Sequence, residues 1–207
     1  YEKYPYRKDN VTEFKAVDGS KLNQNDEKVI KYVKKYYNIR KNQPYKGALG
    51  CSFSHEAIWK EIIDNEDLDR DDKVAVFEDD CFYTNAFNMI WEKISDKFPE
   101  DTDFIYIGGR FRDKYLPKIP EMWNKVDSYI YKLKNNDKVD DRTTHAYVIT
   151  KKGAMKLLQI LEKEDGFDIE LDKWLVDRMK HLNCYHVLPL LCWSPLDYQT
   201  DIQINKD

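Results

Sequence analysis

Lys73-Val74-Ala75-Val76-Phe77 is a run of β-branched and aromatic residues that reads as a buried strand. Glu78-Asp79-Asp80 follow it directly, where that strand emerges. In open α/β sheets, ligands bind at the carboxyl ends of strands. Packing gives no reason to crowd three carboxylates there, since like charges repel and desolvation is costly. A divalent cation relieves both costs, and oxygen ligands suit Mg2+ or Mn2+. The competing reading is a solvated acidic turn.

Around this strand the chain alternates between two periods. Glu13 to Val17 reads as a short strand closed by Asp18-Gly19. Asn25 to Tyr37 carries Val29, Ile30, Val33 and Tyr37 at helical spacing. Lys46 to Gly50 reads as a glycine-containing connection, followed by a helix bearing Ile58, Trp59, Ile62 and Ile63. Thr84 is placed to cap a helix whose apolar face is Phe87, Ile90, Trp91 and Ile94. Asp103 to Ile107 is a second strand, ending in Gly108-Gly109-Arg110, and the stretch from Arg112 to Trp123 reads as a loop. Tyr129 to Leu133 reads as an edge strand and His145 to Ile149 as a third buried one. Thr150 caps a helix with Ala154, Leu157, Leu158 and Leu161 on one face. A helix from about Glu170 to Leu182 and a last strand, Cys184 to Leu188, complete the pattern. Strands alternating with helices predict an α/β fold with a mostly parallel central sheet flanked by helices.

Length and charge narrow the classes. A chain of 207 residues suits one domain over 1–207 and buries a sizeable core. A net charge of -4 gives no general attraction to nucleic acid or to an anionic membrane. No apolar run is long enough to span a bilayer. The sequence begins at Tyr1 without a signal peptide, which suggests a domain excised from a longer protein. Cys51, Cys81, Cys184 and Cys192 have no C-x-x-C spacing, so no zinc site and free buried thiols are expected, although Cys51 and Cys81 lie near the segments of interest.

Two further residue types bear on chemistry. On a helical wheel with Leu171 at the origin, Trp174, Leu175, Met179 and Leu182 cluster around it, and Asp172 falls at the border of that apolar stripe, on the side of Asp168. A partly desolvated carboxylate is a stronger base. An ordinary helix N-terminal acid is the alternative. A metal site at Asp80 needs more ligands, and His145 and His186 are candidates because both lie on or beside predicted strands.

Taken together, the segments resemble glycosyltransferase family 25. Gly47-Ala48-Leu49-Gly50-Cys51-Ser52-Phe53-Ser54-His55 with Ile58-Trp59-Lys60 is similar to its G-x-x-G-C-x-x-S-H…W signature, and Phe77-Glu78-Asp79-Asp80 to its metal motif. Ala16-Val17-Asp18-Gly19 resembles its early A-x-D-G, and Asp103 to Gly109 its D-x-x-Y-x-G strand. Thr144 to Ile149 with Gly153-Ala154 and Leu157-Leu158, then Leu171-Asp172-Lys173-Trp174-Leu175, match later motifs in order. The family's usual first strand is not seen in Tyr1 to Asn10.

The resemblance implies a GT-A-like, Rossmann-like nucleotide-sugar-binding fold, a UDP-sugar donor and Mn2+ or Mg2+. Glu78, Asp79 and Asp80 would then serve the metal, joined by His145 and His186. Asp172 would be the base of an inverting transfer. Asp18 and Gly19 would line the nucleoside pocket, Ser54 and His55 the donor side, and Arg110 a phosphate. The implied reaction moves galactose or glucose to a hydroxyl acceptor, either hydroxylysine of a collagen-like protein or a glycan. The location stays open between two settings: cytoplasmic for a bacterial or viral protein, or the endoplasmic reticulum lumen for part of a procollagen-modifying enzyme. A degenerate glycan- or protein-binding domain of the same fold is the alternative. A metal-dependent phosphotransferase would want two aspartates spaced two apart, whereas these acids are adjacent.

Overall fold

Ala146–Thr150 (β7) is buried at every position, which places it in the interior of the sheet. A computed structural model describes residues 11–40, 45–109, 123–134 and 143–194. The elements in chain order are helices α1 (Glu27–Arg40) and α2 (Lys46–Asp64), strands β1 (Lys73–Phe77) and β2 (Phe82–Tyr83), and helix α3 (Phe87–Ile94). Strands β3 (Phe104–Tyr106), β4 (Gly108–Gly109), β5 (Trp123–Lys125) and β6 (Ile130–Leu133) precede β7. Helices α4 (Lys151–Lys163) and α5 (Leu171–Arg178) follow, then β8 (Cys184–Val187) and β9 (Cys192–Trp193).

Among the described residues six strands form the main sheet in the order β1-β7-β3-β8-β6-β5, and β2-β9-β4 form a small second one. In the main sheet only β3 and β8 pair in parallel; β1–β7, β7–β3, β8–β6 and β6–β5 are antiparallel. The sheet is therefore mixed, not mostly parallel. β7 inserts between β1 and β3 and runs against both. Alternation of strands and helices along a sequence does not reveal on which side of an existing strand the next one enters.

Side-chain alternation divides the interior in two. Val76, Tyr147, Ile149, Phe104, Tyr106 and Cys184 face α1, α2, α4 and α5. Ala146, Val148, Ile105, Ile107, Tyr185, Val187 and Ile130 face α3. Thr150 caps α4 as expected, its hydroxyl oxygen accepting from Gly153 N–H at 3.1 Å.

Other expectations change. Glu13 to Val17 is not a strand, because Val17 N–H is taken by the Ser54 hydroxyl at 2.8 Å instead of a ladder. Lys46 to Gly50 is the start of α2, not a connection. The glycines there serve contact: a Cβ on Gly50 would meet Val17 O at 2.6 Å, and one on Gly19 would meet Lys46 O at 1.9 Å. Thr84 makes no side-chain cap; its carbonyl accepts from Phe87 N–H, and Ala86 holds the cap position. Ile130–Leu133 is not an edge strand, since β5 covers its far side. The predicted last helix is Leu171–Arg178 continued by a 3-10 turn, and β9 follows the strand expected to be last. Residues 110–122, including Arg110 and most of the predicted loop, lie outside the described residues. The four cysteines are free. Among the described residues no helix is long and apolar enough to cross a membrane.

Candidate active site

Because β1 and β7 pair antiparallel, Phe77 at the end of one lies opposite Ala146 at the start of the other. The next residues out also meet, and Glu78 N–H donates to the His145 carbonyl at 2.8 Å. This register brings the acids after β1 beside an imidazole. His145 Nδ1 lies 3.3 Å from Glu78 Oε2 and 3.9 Å from Asp80 Oδ1.

A second imidazole arrives from α2. Cys51, His55 and Trp59 are spaced by four and so share one stripe of that helix. His55 Nε2 is 3.1 Å from Glu78 Oε1. Its Nδ1 is 2.7 Å from the Tyr147 hydroxyl, which also accepts from Trp59 Nε1 at 3.2 Å. A phenol has one proton. With the Trp59 N–H occupying one lone pair, a satisfied network has Tyr147 donating to Nδ1 and His55 Nε2–H donating to the Glu78 carboxylate. Trp59 and Tyr147 are fully buried, so this chain of bonds fixes the ring.

The two acids titrate in opposite directions. Burial opposes charge on Glu78, but the hydrogen bonds with His145 and His55 outweigh it and hold the carboxyl well below the usual range. Burial, then the charge of Glu78, pushes Asp80 up. Asp80 Oδ1 is buried without a hydrogen-bond partner among the described residues. Glu78, Asp80 and His145 each offer a ligand atom, all within 4.8 Å of one another. Two carboxylate oxygens, one of them orphaned, and an imidazole nitrogen are a donor set that fits Mn2+ or Mg2+.

The remaining expected residues divide. Asp79 is exposed and stands outside this group. His186 is likewise not part of it. It sits in β8, separated from β7 by β3, with Nδ1 3.1 Å from the Tyr106 carbonyl and its ring 5.3 Å from that of Trp123. Parallel pairing of β8 with β3 put it there, a long-range choice the sequence does not display. Ser54 is buried and joins backbone to backbone, donating to Gly50 O at 2.7 Å and accepting from Val17. Gly19 is buried against α2. Asp18 is exposed, held at about 2 by Lys21 and Ser20.

Asp172 stands half-buried in the first turn of α5, its Oδ1 accepting from Lys173 N–H at 2.8 Å. Its charge and that of Glu78 both act on Cys51. Burial, then the charges of Glu78 and Asp172, push that thiol well up. Of its acidic neighbours, Glu170 is occupied by Arg40 at 2.9 Å, and Asp168 lies 3.6 Å from Arg178. Sequence reasoning missed Tyr147 and Trp59 as the holders of His55. The four-residue spacing of His55 and Trp59 was the available signal.

The profile of "Glycosyltransferase family 25 (LPS biosynthesis protein)" matches residues 5–175. The chain belongs to glycosyltransferase family 25. Among family relatives, human procollagen galactosyltransferase 2 is 32% identical over 152 residues, covering 69% of this chain and 22% of that protein. The procollagen lysyl hydroxylase and glycosyltransferase of Acanthamoeba polyphaga mimivirus is 24% identical over 201 residues, covering 88% of this chain and 21% of its own length. A probable inactive glycosyltransferase 25 family member 3 of Rattus norvegicus is 26% identical over 217 residues, covering 93% of this chain and 34% of that protein. The chain thus spans about a fifth of the length of these human and mimivirus relatives.

Proposed function

We propose that this chain transfers a hexose, galactose or glucose, from a UDP-sugar to a hydroxyl acceptor. The observation that carries the reading is the meeting of Glu78, Asp80 and His145 at the carboxyl end of β1, with one buried Asp80 oxygen lacking a hydrogen-bond partner among the described residues. Glu78, Asp80 and His145 would hold a divalent cation, Mn2+ or Mg2+. Such an ion supplies positive charge against the diphosphate that gains negative charge as it leaves. Trp59, Tyr147 and His55 position Glu78 from behind. Asp172, half-buried in the first turn of α5, takes the proton from the acceptor hydroxyl on the face opposite the leaving group, so the anomeric centre inverts. The procollagen relatives favour hydroxylysine of a collagen-like chain as acceptor over a glycan.

The test is a screen of UDP-sugars with Mn2+ and a collagen-like hydroxylysine peptide, read as sugar transferred to the peptide or released to water. Turnover of UDP-galactose or UDP-glucose is expected. Binding of UDP without turnover of any sugar would favour the second reading, a non-catalytic domain of the same fold. The inactive family members among the relatives favour that reading.

A further inference from the structure

A second group of ligand atoms shares Glu78. The Cys51 sulfur, a His55 ring nitrogen and a Glu78 carboxylate oxygen lie within 4.8 Å of one another. Cys51 and His55 sit one helical turn apart on α2, so their side chains project from the same face. Glu78 closes the group from the end of β1. The far nitrogen of His55 is fixed by the Tyr147 hydroxyl at 2.7 Å, and that hydroxyl by Trp59 at 3.2 Å. A hydrogen bond on the nitrogen away from the metal is how ligating imidazoles are usually oriented. Thiolate, imidazole and one carboxylate are a donor set for a borderline ion, and the thiolate sets it apart from the oxygen-rich group formed with Asp80 and His145.

We propose that Cys51, His55 and Glu78 form a site for Zn2+ or a similarly thiophilic divalent ion. Binding sends the thiol proton to solvent. The imidazole proton moves to Nδ1, where the Tyr147 oxygen accepts it beside the Trp59 N–H, and the Tyr147 O–H gives up its bond to His55. Since Glu78 belongs to both groups, a thiophilic ion at this site competes with a hard ion held through Asp80 and His145. That competition rests on the reading given under Proposed function; the site itself does not.

The probe is Co2+, titrated into metal-freed protein and followed by the thiolate-to-cobalt charge-transfer absorption in the near ultraviolet. The band is expected in the wild type and in Asp80→Asn, and is expected to vanish in Cys51→Ser and Cys51→Ala and on displacement by Zn2+. No band in the wild type, or the same band in both Cys51 variants, overturns the site. Where a Cys51 variant fails to fold, the wild type decides alone. It is alkylated with and without Zn2+, and Cys51 is read by peptide mass spectrometry. Zn2+ should protect Cys51, and equal labelling overturns the site. A wild type that shows the band but no Mn2+-dependent UDP binding overturns the hard-ion reading and leaves this site standing.

Discussion

Glu78 is the residue on which the local chemistry turns, because both its oxygens face imidazoles and Asp80 lies beyond. Its partner His55 is bonded on the far side of its ring to Tyr147, so the phenol is a positioning group. Tyr147→Phe leaves the buried Trp59 N–H and one His55 nitrogen without their partner. The expected cost is about 1–3 kcal/mol of stability, read from the denaturant midpoint. An unchanged midpoint would mean that the buried network is not satisfied as described. Asp172→Asn makes a separate test. It keeps shape and loses basicity, so UDP and Mn2+ binding should persist while transfer falls by about 10²- to 10⁴-fold at saturating donor. A variant that transfers at the wild-type rate would reduce Asp172 to a helix N-terminal acid worth less than about 1 kcal/mol.

At the scale of elements, α2 does two things with two faces. One carries Cys51, His55 and Trp59 to the acids, and the other receives the segment from Val17 to Gly19 through Ser54 and Gly50. Gly50→Ala puts a methyl group 2.6 Å from Val17 O, so the early segment should lift off α2. The expected loss is about 1–3 kcal/mol, the usual cost of overpacking, together with faster proteolysis before residue 20. Wild-type melting and cleavage would show that the segment is not seated there. These elements were legible to different degrees. β1 and β7 are apolar runs bounded by polar residues, and the Ala154–Leu161 stripe has a clear period, so their types follow from spacing. Ser54 looked like a ligand residue, yet a serine inside a helix readily bonds the carbonyl four back, as it does here. Thr84 looked like a cap, but the chain turns two residues later.

In the whole molecule, the decisive event is the insertion of β7 between β1 and β3. It sets His145 beside Glu78, and the pairing of β8 with β3 removes His186 from the same neighbourhood. Both histidines looked equivalent in the sequence, each beside a strand. Only long-range pairing separates them, and pairing is not written in local periodicity. The position of Asp80 just past the end of β1 was legible, because it needs only the strand end. The α2 face of the sheet closes over Trp59 and Trp174, whose rings lie 6.3 Å apart, so Trp174→Ala should cost about 3–5 kcal/mol by thermal or urea melting. A loss below about 1 kcal/mol would contradict the packing of α5 against α2.

The central claim is that the acids after β1 hold a divalent cation for a nucleotide donor, and calorimetric titration of UDP with and without Mn2+ tests it most directly. The account predicts UDP binding that strengthens with Mn2+ in the wild type and loses that dependence in Asp80→Ala, with the melting of the variant preserved. UDP affinity that responds to Mn2+ equally in both proteins, or in neither, would contradict it.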